Sequence, residues 1–208
     1  MINILCFGDS NTFGSNPEGG RHPRNVRWTG VLQELLGENY YVIEEGMGGR
    51  TTIHDDPFEP NRCGKTALPI ALQSHMPLDL VILSLGTNDC KFNFNLSAQL
   101  VARGAEFLCS MIKHYEYHCG KAPKILLVSP IKIGEKMEEC PFANFNGLSV
   151  KTSEDLSSWY QAVAERQSCL FLDASLVAEP GPDQLHMDAA SHRVLAEKLS
   201  EMIKKEFE

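Results

Sequence analysis

Short apolar segments and longer amphipathic segments alternate five times along this chain of 208 residues. The short segments are rich in Ile, Leu and Val, as expected for strands buried on both faces. The predicted strands are Ile4–Phe7, Tyr41–Ile43, Leu80–Leu85, Ile125–Val128 and Leu170–Leu172, and the predicted helices are Val26–Leu36, Thr66–His75, Ser97–Tyr117, Leu156–Gln167 and Ala189–Phe207. This alternation predicts an α/β fold with a five-stranded parallel sheet and helices on both faces.

The length favours a single domain spanning residues 1–208 with a sizeable buried core. A net charge of −8 and the lack of Lys/Arg clusters argue against nucleic acid as a partner. The apolar runs are strand-sized, so no membrane-spanning helix is expected. Met1 leads almost directly into the first strand, without the pattern of a signal peptide, so we expect a cytoplasmic protein.

The cysteines and histidines predict neither disulfides nor a metal site. Seven cysteines cannot all pair within one chain, and none lies in a C-x-x-C spacing. Cys6, Cys109 and Cys169 fall at predicted strands and helices, where reduced cysteine packs as a small apolar residue. His114 and His118 are four positions apart on a helix, but no further ligands with zinc-like spacing follow.

Three polar or glycine-rich segments begin where predicted strands end. Ser10 follows the first strand, Gly46–Gly49 the second and Asn88 the third. Sites in parallel sheets form beyond the carboxyl ends of the strands, so these segments should share one edge. Ser10 is the candidate nucleophile, although a serine here also suits a turn or a helix N-cap.

A serine hydroxyl needs a base, and the pair Asp183 and His186 can supply one. Unperturbed histidine has a pKa near ~6.5, which suits a general base, and an adjacent carboxylate can orient its ring. The amide of Asn88, an N–H in the Gly46–Gly49 turn and the N–H of Ser10 are candidate donors to a developing oxyanion.

Local features give further expectations. Thr152-x-x-Asp155 is predicted to form a capping box ahead of the fourth helix, and Asp188 to cap the last one. His192, in that last helix, is interpreted as solvated, and Asp9 as a brace for the turn at Ser10. Two long loops, Ser15–Asn25 and Lys132–Lys151, are expected to line the pocket.

Four blocks occur in order across nearly the whole chain. They are Gly8-Asp9-Ser10-Asn11, Gly46-Met47-Gly48-Gly49-Arg50-Thr51-Thr52, Gly86-Thr87-Asn88-Asp89 and Asp183-Gln184-Leu185-His186. Together they resemble the SGNH hydrolases, also called the GDSL-like lipase/acylhydrolase family. The resemblance implies catalytic Ser10, Asp183 and His186, and an oxyanion hole from Ser10, Gly49 and Asn88. Gly49 is chosen because the Gly-x-x-Gly pattern of the family places the donor second.

Further segments, among them Val26-Arg27-Trp28-Thr29-Gly30 and Pro77-Leu78-Asp79-Leu80, are similar to the bacterial arylesterase and acyltransferase subgroup. This likeness implies a flavodoxin-like three-layer α/β/α sandwich, small acyl esters as substrates, and no cofactor or metal. Some members of the subgroup also transfer acetyl groups to alcohols, and several are homo-oligomers. The Lys132–Lys151 segment departs from the corresponding loop, so acyl chain length, alcohol, acyl transfer and oligomeric state stay open.

Two other functions are compatible with these residues. A carbohydrate acetylesterase or a thioesterase would use the same catalytic groups and differ only in pocket shape. A small-molecule binding module with an inert serine is the alternative from outside the enzymes.

Overall fold

Five parallel strands form the centre of the structure, a computed structural model that describes residues 1–207. The strands are β1 (Ile2–Gly8), β2 (Tyr40–Gly46), β3 (Leu80–Ser84), β4 (Lys124–Ser129) and β5 (Leu170–Asp173). Their order in the sheet is β2-β1-β3-β4-β5. Gly8 pairs with Gly46 on one side and with Ser84 on the other, so β1, β2 and β3 end at the same level.

The helices connect successive strands, as the sequence predicts. They are α1 (Ser10–Phe13), α2 (Trp28–Leu36), α3 (Gly64–His75), α4 (Ala98–His114), α5 (Gly147–Glu154), α6 (Leu156–Arg166) and α7 (Ala189–Phe207). Among residues 1–207, no helix combines the length and the apolar character needed to cross a membrane. The short helices α1 and α5 are absent from the sequence prediction, and α4 ends three residues earlier than predicted.

Two apolar cores, one on each face of the sheet, confirm the predicted three-layer sandwich. Strand residues alternate between them: Leu5 and Phe7 of β1 belong to one core, Ile4 and Cys6 to the other. The first core packs against α3, α4 and α6, and the second against α2 and α7. The alternation follows from the two-residue period of a strand. All seven cysteines lie in the described part of the chain and are unpaired.

The prediction of a capping box at Thr152 and Asp155 is wrong. Thr152 lies inside α5, and the Asp155 side chain makes no capping hydrogen bond to α6. The capping box instead starts α5, where the Asn146 side chain accepts from the Ser149 N–H and the Ser149 hydroxyl oxygen accepts from the Asn146 N–H. Part of the predicted Lys132–Lys151 loop is therefore helical. The prediction at Asp188 is confirmed, because its carboxylate accepts from the N–H of Ser191.

The interpretation of His192 as solvated is also wrong. The residue is fully buried where α7 packs on α2, and its Nδ1 accepts from the N–H of Trp28 over 3.2 Å. Its ring stands edge-on to His22 at 5.1 Å. Burial lowers the pKa of His192 to about 3, so the ring is neutral. The face of a helix that meets another helix depends on tertiary packing, which the sequence spacing alone left undetermined.

Candidate active site

Ser10 is the first residue of α1, directly beyond the end of β1. The Asp9 carboxylate accepts from the N–H of Asn11 over 3.0 Å, which confirms that Asp9 braces this turn. Ser10 is 6% exposed, and its hydroxyl makes no hydrogen bond within residues 1–207. As the first residue of a helix, Ser10 also has a backbone N–H without an intrahelical acceptor. Both groups are therefore available to a substrate.

Asp183 and His186 form a close pair on the loop before α7. His186 Nδ1 lies 2.6 Å from Asp183 Oδ2, and Asp183 Oδ1 accepts from the N–H groups of Leu185 and His186. Burial raises the pKa of Asp183, but the hydrogen bonds from His186 and Leu185 outweigh burial and hold the pKa below its usual value. An ionised carboxylate can only accept, so Nδ1 carries the proton and Nε2 is free to take another.

Asn11 fastens this loop to the end of β1. Its Nδ2 donates to the carbonyl of Leu185 over 3.2 Å, and its Oδ1 accepts from the N–H of Met187 over 2.9 Å. Leu185 and Met187 flank His186, and Asn11 follows Ser10, so this one side chain brings two remote segments together. In the sequence, the only signal for this role of Asn11 is its place in the first block.

The structure joins Ser10 and His186 through these two Asn11 hydrogen bonds, here called the Asn11 clamp, rather than by a direct hydrogen bond. Within the described chain, no hydrogen bond links the Ser10 hydroxyl to the His186 ring. Such hydrogen bonds are often long or poorly aligned before substrate binds and shorten in the reacting complex. His186 instead meets the ring of Phe142 at 5.8 Å, edge to face.

Gly49 lies in a tight turn beside the same sheet edge. The N–H of Arg50 closes the turn onto the carbonyl of Met47 over 3.2 Å. Gly49 has φ +75°, a left-handed conformation that favours glycine. A Cβ at this position would lie 2.1 Å from Glu59 Oε2, so the Glu59 carboxylate packs directly against the turn. The N–H of Gly49 has no acceptor within residues 1–207.

Asn88 follows β3 and faces this turn. Its Nδ2 donates to the carbonyl of Arg50 over 3.1 Å, which fixes the amide and leaves its second proton unused. Arg50 in turn donates to the carbonyls of Gly8 and Glu45 and thereby holds the second block in place. The buried Asp89 carboxylate accepts from the N–H and hydroxyl of Thr52. Hydrogen bonds therefore join the ends of β1, β2 and β3.

A buried network of charged side chains connects the segments that carry Gly49 and Asn88. Lys91, three residues after Asn88, has a side chain only 2% exposed. Its Nζ lies 2.8 Å from Asp56 and 2.9 Å from Glu59, the residue that packs on Gly49. Lys91 thereby links the segment carrying Asn88 to the loop beside Gly49. Local sequence patterns do not reveal this network, because Lys91 lies 35 and 32 positions from Asp56 and Glu59.

A cavity of about 490 Å³ opens beside the Asp183–His186 pair. One side of it is lined by Ser15, Asn16, Pro17, Gly19 and Gly20, and another by Glu139, Cys140, Pro141 and Phe142. Both predicted loops therefore contribute to the pocket, as expected. The second loop is also tied to the histidine loop, since the N–H of Gly134 donates to the carbonyl of Gln184 over 2.8 Å.

Asp9 makes the free energy of unfolding of the protein depend on pH. Burial raises the pKa of Asp9 from 3.8 to about 6. The folded protein therefore holds the Asp9 proton more tightly than the unfolded chain does. This preference stabilises the folded state at pH values below the pKa that Asp9 has in the unfolded chain, and the stabilisation is lost as pH rises through about 6. The Asp9→Asn variant has no charge to bury at this position. Its free energy of unfolding, minus that of wild type, should therefore be about 2–3 kcal/mol larger at pH 8 than at pH 4. Urea unfolding at both pH values measures this difference.

The exposed Asp55 supplies the control for this experiment. Asp55→Asn removes the same charge from a residue that no described hydrogen bond or ion pair engages, and its stability difference should stay constant with pH. If the difference in free energy of unfolding between Asp9→Asn and wild type were also the same at pH 4 and pH 8, burial would not raise the pKa of Asp9.

A three-layer sandwich with a serine, an Asp–His pair and free amide donors at one sheet edge defines a carboxylic ester hydrolase. The chain belongs to the GDSL-like lipase/acylhydrolase family, whose model matches residues 6–194. The family predicted from the four sequence blocks is thereby confirmed.

Solved structures of esterases are similar over the full length. The aryl esterase of M. smegmatis is 37% identical, with a TM-score of 0.92 and 99% of each chain covered. Est24, a carbohydrate acetylesterase from Sinorhizobium meliloti, is 35% identical, with a TM-score of 0.91 and 99% of each chain covered. The lipase/acylhydrolase from Enterococcus faecalis is 19% identical, with a TM-score of 0.72, 99% of this chain and 97% of that one covered, and supports the fold alone.

One curated relative matches over a short stretch. The uncharacterized lipoprotein YqeF of Bacillus subtilis (strain 168) is 37% identical over 49 residues. This match covers 24% of the present chain and 20% of the relative, so the chain corresponds to about a fifth of that protein. The match carries no argument about substrate or location.

Proposed function

We propose that the protein hydrolyses small acyl esters through an acyl-enzyme on Ser10, with His186 as general base and Asp183 as the residue that orients it. The observation that carries this proposal is the Asn11 clamp, which holds both residues flanking His186 beside Ser10. The short His186–Asp183 contact supports the assigned tautomer, in which Nε2 can accept the serine proton.

The reaction runs in two steps. In the first, Nε2 of His186 takes the Ser10 proton while the serine oxygen bonds to the ester carbonyl carbon. The carbonyl oxygen becomes negative and accepts from the N–H groups of Ser10 and Gly49 and from the Asn88 amide. The carbon–oxygen bond to the alcohol breaks, and the alcohol leaves with the proton from His186. In the second step, water attacks the acyl-enzyme with the same proton transfers, releasing the acid and restoring Ser10.

Small acyl esters are the proposed substrates because the similar aryl esterase and carbohydrate acetylesterase are named for such activities. Transfer of the acyl group to a second alcohol uses the same acyl-enzyme, with that alcohol in place of water. A thioesterase acting on acyl-CoA fits less well, since no Lys or Arg lines the described cavity to receive its phosphates.

A fluorophosphonate probe tests the proposal, because it phosphonylates only a serine activated by a neighbouring base. We expect one probe per chain, located on Ser10 by peptide mass spectrometry. Labelling should disappear after prior treatment with unlabelled phosphonate. Complete resistance of the folded protein to the probe would instead support a binding module with an inert serine.

A further inference from the structure

We propose that the enzyme selects esters by the charge of their alcohol, and that Glu139 is the residue that determines this selection. Cationic and neutral alcohols are accepted, and anionic alcohols are rejected. The inference rests on the proposed function, because it assigns one side of the catalytic site to the alcohol.

The chemistry of the leaving group decides which moiety occupies the cavity. His186 must protonate the alcohol oxygen as it departs, so this oxygen has to lie within hydrogen-bonding distance of Nε2. The carbonyl oxygen points the other way, toward Gly49 and Asn88. The alcohol moiety therefore lies on the His186 side. His186 lines the 490 Å³ cavity and Ser10 does not, so we assign this cavity to the part of the alcohol that extends away from the reacting ester bond.

The charges of this cavity are unbalanced. Its acidic lining residues are Asp183 and Glu139, and in the described chain no Lys or Arg lines it. Asp183 is engaged by His186, whereas Glu139 is exposed and forms no ion pair within residues 1–207. A negative charge at the rim attracts a cation and repels an anion.

Neighbouring cations do not neutralise Glu139. Lys136, on the same loop, is exposed and does not line the cavity. Arg21, on the opposite loop, places its guanidinium over the ring of Phe13 at 4.0 Å and bonds to Glu44 over 3.5 Å. The carboxylate of Glu139 is thus free to meet a substrate.

The other walls fit the apolar parts of such an alcohol. Pro17, Pro141 and Pro182 supply rigid apolar surfaces, and Phe142 supplies an aromatic ring next to His186. An aromatic face with a nearby carboxylate is favourable for an alkylammonium group, whose methyl groups carry the spread positive charge.

Matched substrates test the inference. Acetylcholine and 3,3-dimethylbutyl acetate have nearly the same shape, and only the first carries a charge; 3-sulfopropyl acetate supplies the anion. The readout is the kcat/KM of each charged ester divided by that of the neutral ester, measured in wild type, Glu139→Gln and Glu135→Gln. Comparing these ratios between variants cancels the different intrinsic reactivities of the esters.

Glu135 is the matched control, because it is an exposed carboxylate on the same loop that does not line the cavity. We expect Glu139→Gln to lower the acetylcholine ratio about fivefold at most and to raise the sulfonate ratio, as for one exposed charge contact. The Glu135→Gln ratios should match wild type. Salt near about 0.5 M should shrink the wild-type preference through screening.

Two results would overturn the inference: unchanged ratios in Glu139→Gln, or an equal effect of Glu135→Gln, which would assign the preference to overall charge. Turnover of p-nitrophenyl acetate by wild type distinguishes failure of this inference from failure of the proposed function. If that ester is hydrolysed while charge preference is absent, only the inference fails. If it is not hydrolysed at all, the proposed function fails with it.

Discussion

Replacing Ser10 with alanine is expected to lower kcat for p-nitrophenyl acetate by at least about 10⁴-fold. The variant keeps the His186–Asp183 pair and the amide donors but has no atom that can form the acyl-enzyme. The fold should persist, because the Ser10 hydroxyl makes no hydrogen bond within the described chain and alanine suits the first turn of a helix. Steady-state kinetics and thermal unfolding measure the two quantities.

Ser74→Ala is the control, since Ser74 is an exposed serine of α3 that does not line the cavity beside His186. This variant should retain turnover close to wild type. If Ser10→Ala also retained turnover while folded, another residue would have to be the nucleophile and the mechanism would be wrong.

Replacing Asp183 with asparagine should lower kcat by about 10³–10⁴-fold without unfolding the protein. The new side chain still offers an oxygen to the N–H groups of Leu185 and His186. Its NH₂ group, however, faces His186 Nδ1 and favours the tautomer with the proton on Nε2. That nitrogen can then no longer accept the Ser10 proton.

Asp188→Asn provides the comparison for this prediction. Asp188 lies two residues after His186 and accepts from the N–H of Ser191 at the start of α7, a role that asparagine fills equally well. Its kcat should stay near that of wild type. If Asp183→Asn reacted with the fluorophosphonate as fast as wild type does, Asp183 would not be the residue that sets the tautomer of His186.

The layered fold follows from local patterns in the sequence. Strand residues such as Ile4 to Phe7 are apolar without interruption because both sheet faces are covered, and helices such as α4 repeat their apolar residues at helical spacing. Boundaries differ by a few residues, as at α4. The errors lie where local signals were ambiguous: Thr152 and Asp155 have the spacing of a capping box, yet the capping box forms at Asn146, about six residues earlier.

The sequence by itself determined the sheet, the layers and the strand ends near which Ser10, Gly49 and Asn88 lie, because the spacing of apolar residues and the alternation of strands with helices are local properties of the chain. Only the tertiary structure decided which remote side chains meet: Asn11 with the His186 loop, Lys91 with Asp56 and Glu59, and His192 with Trp28. These contacts depend on the conformations of loops and on how helices pack, and nothing in the spacing of the residues encodes either.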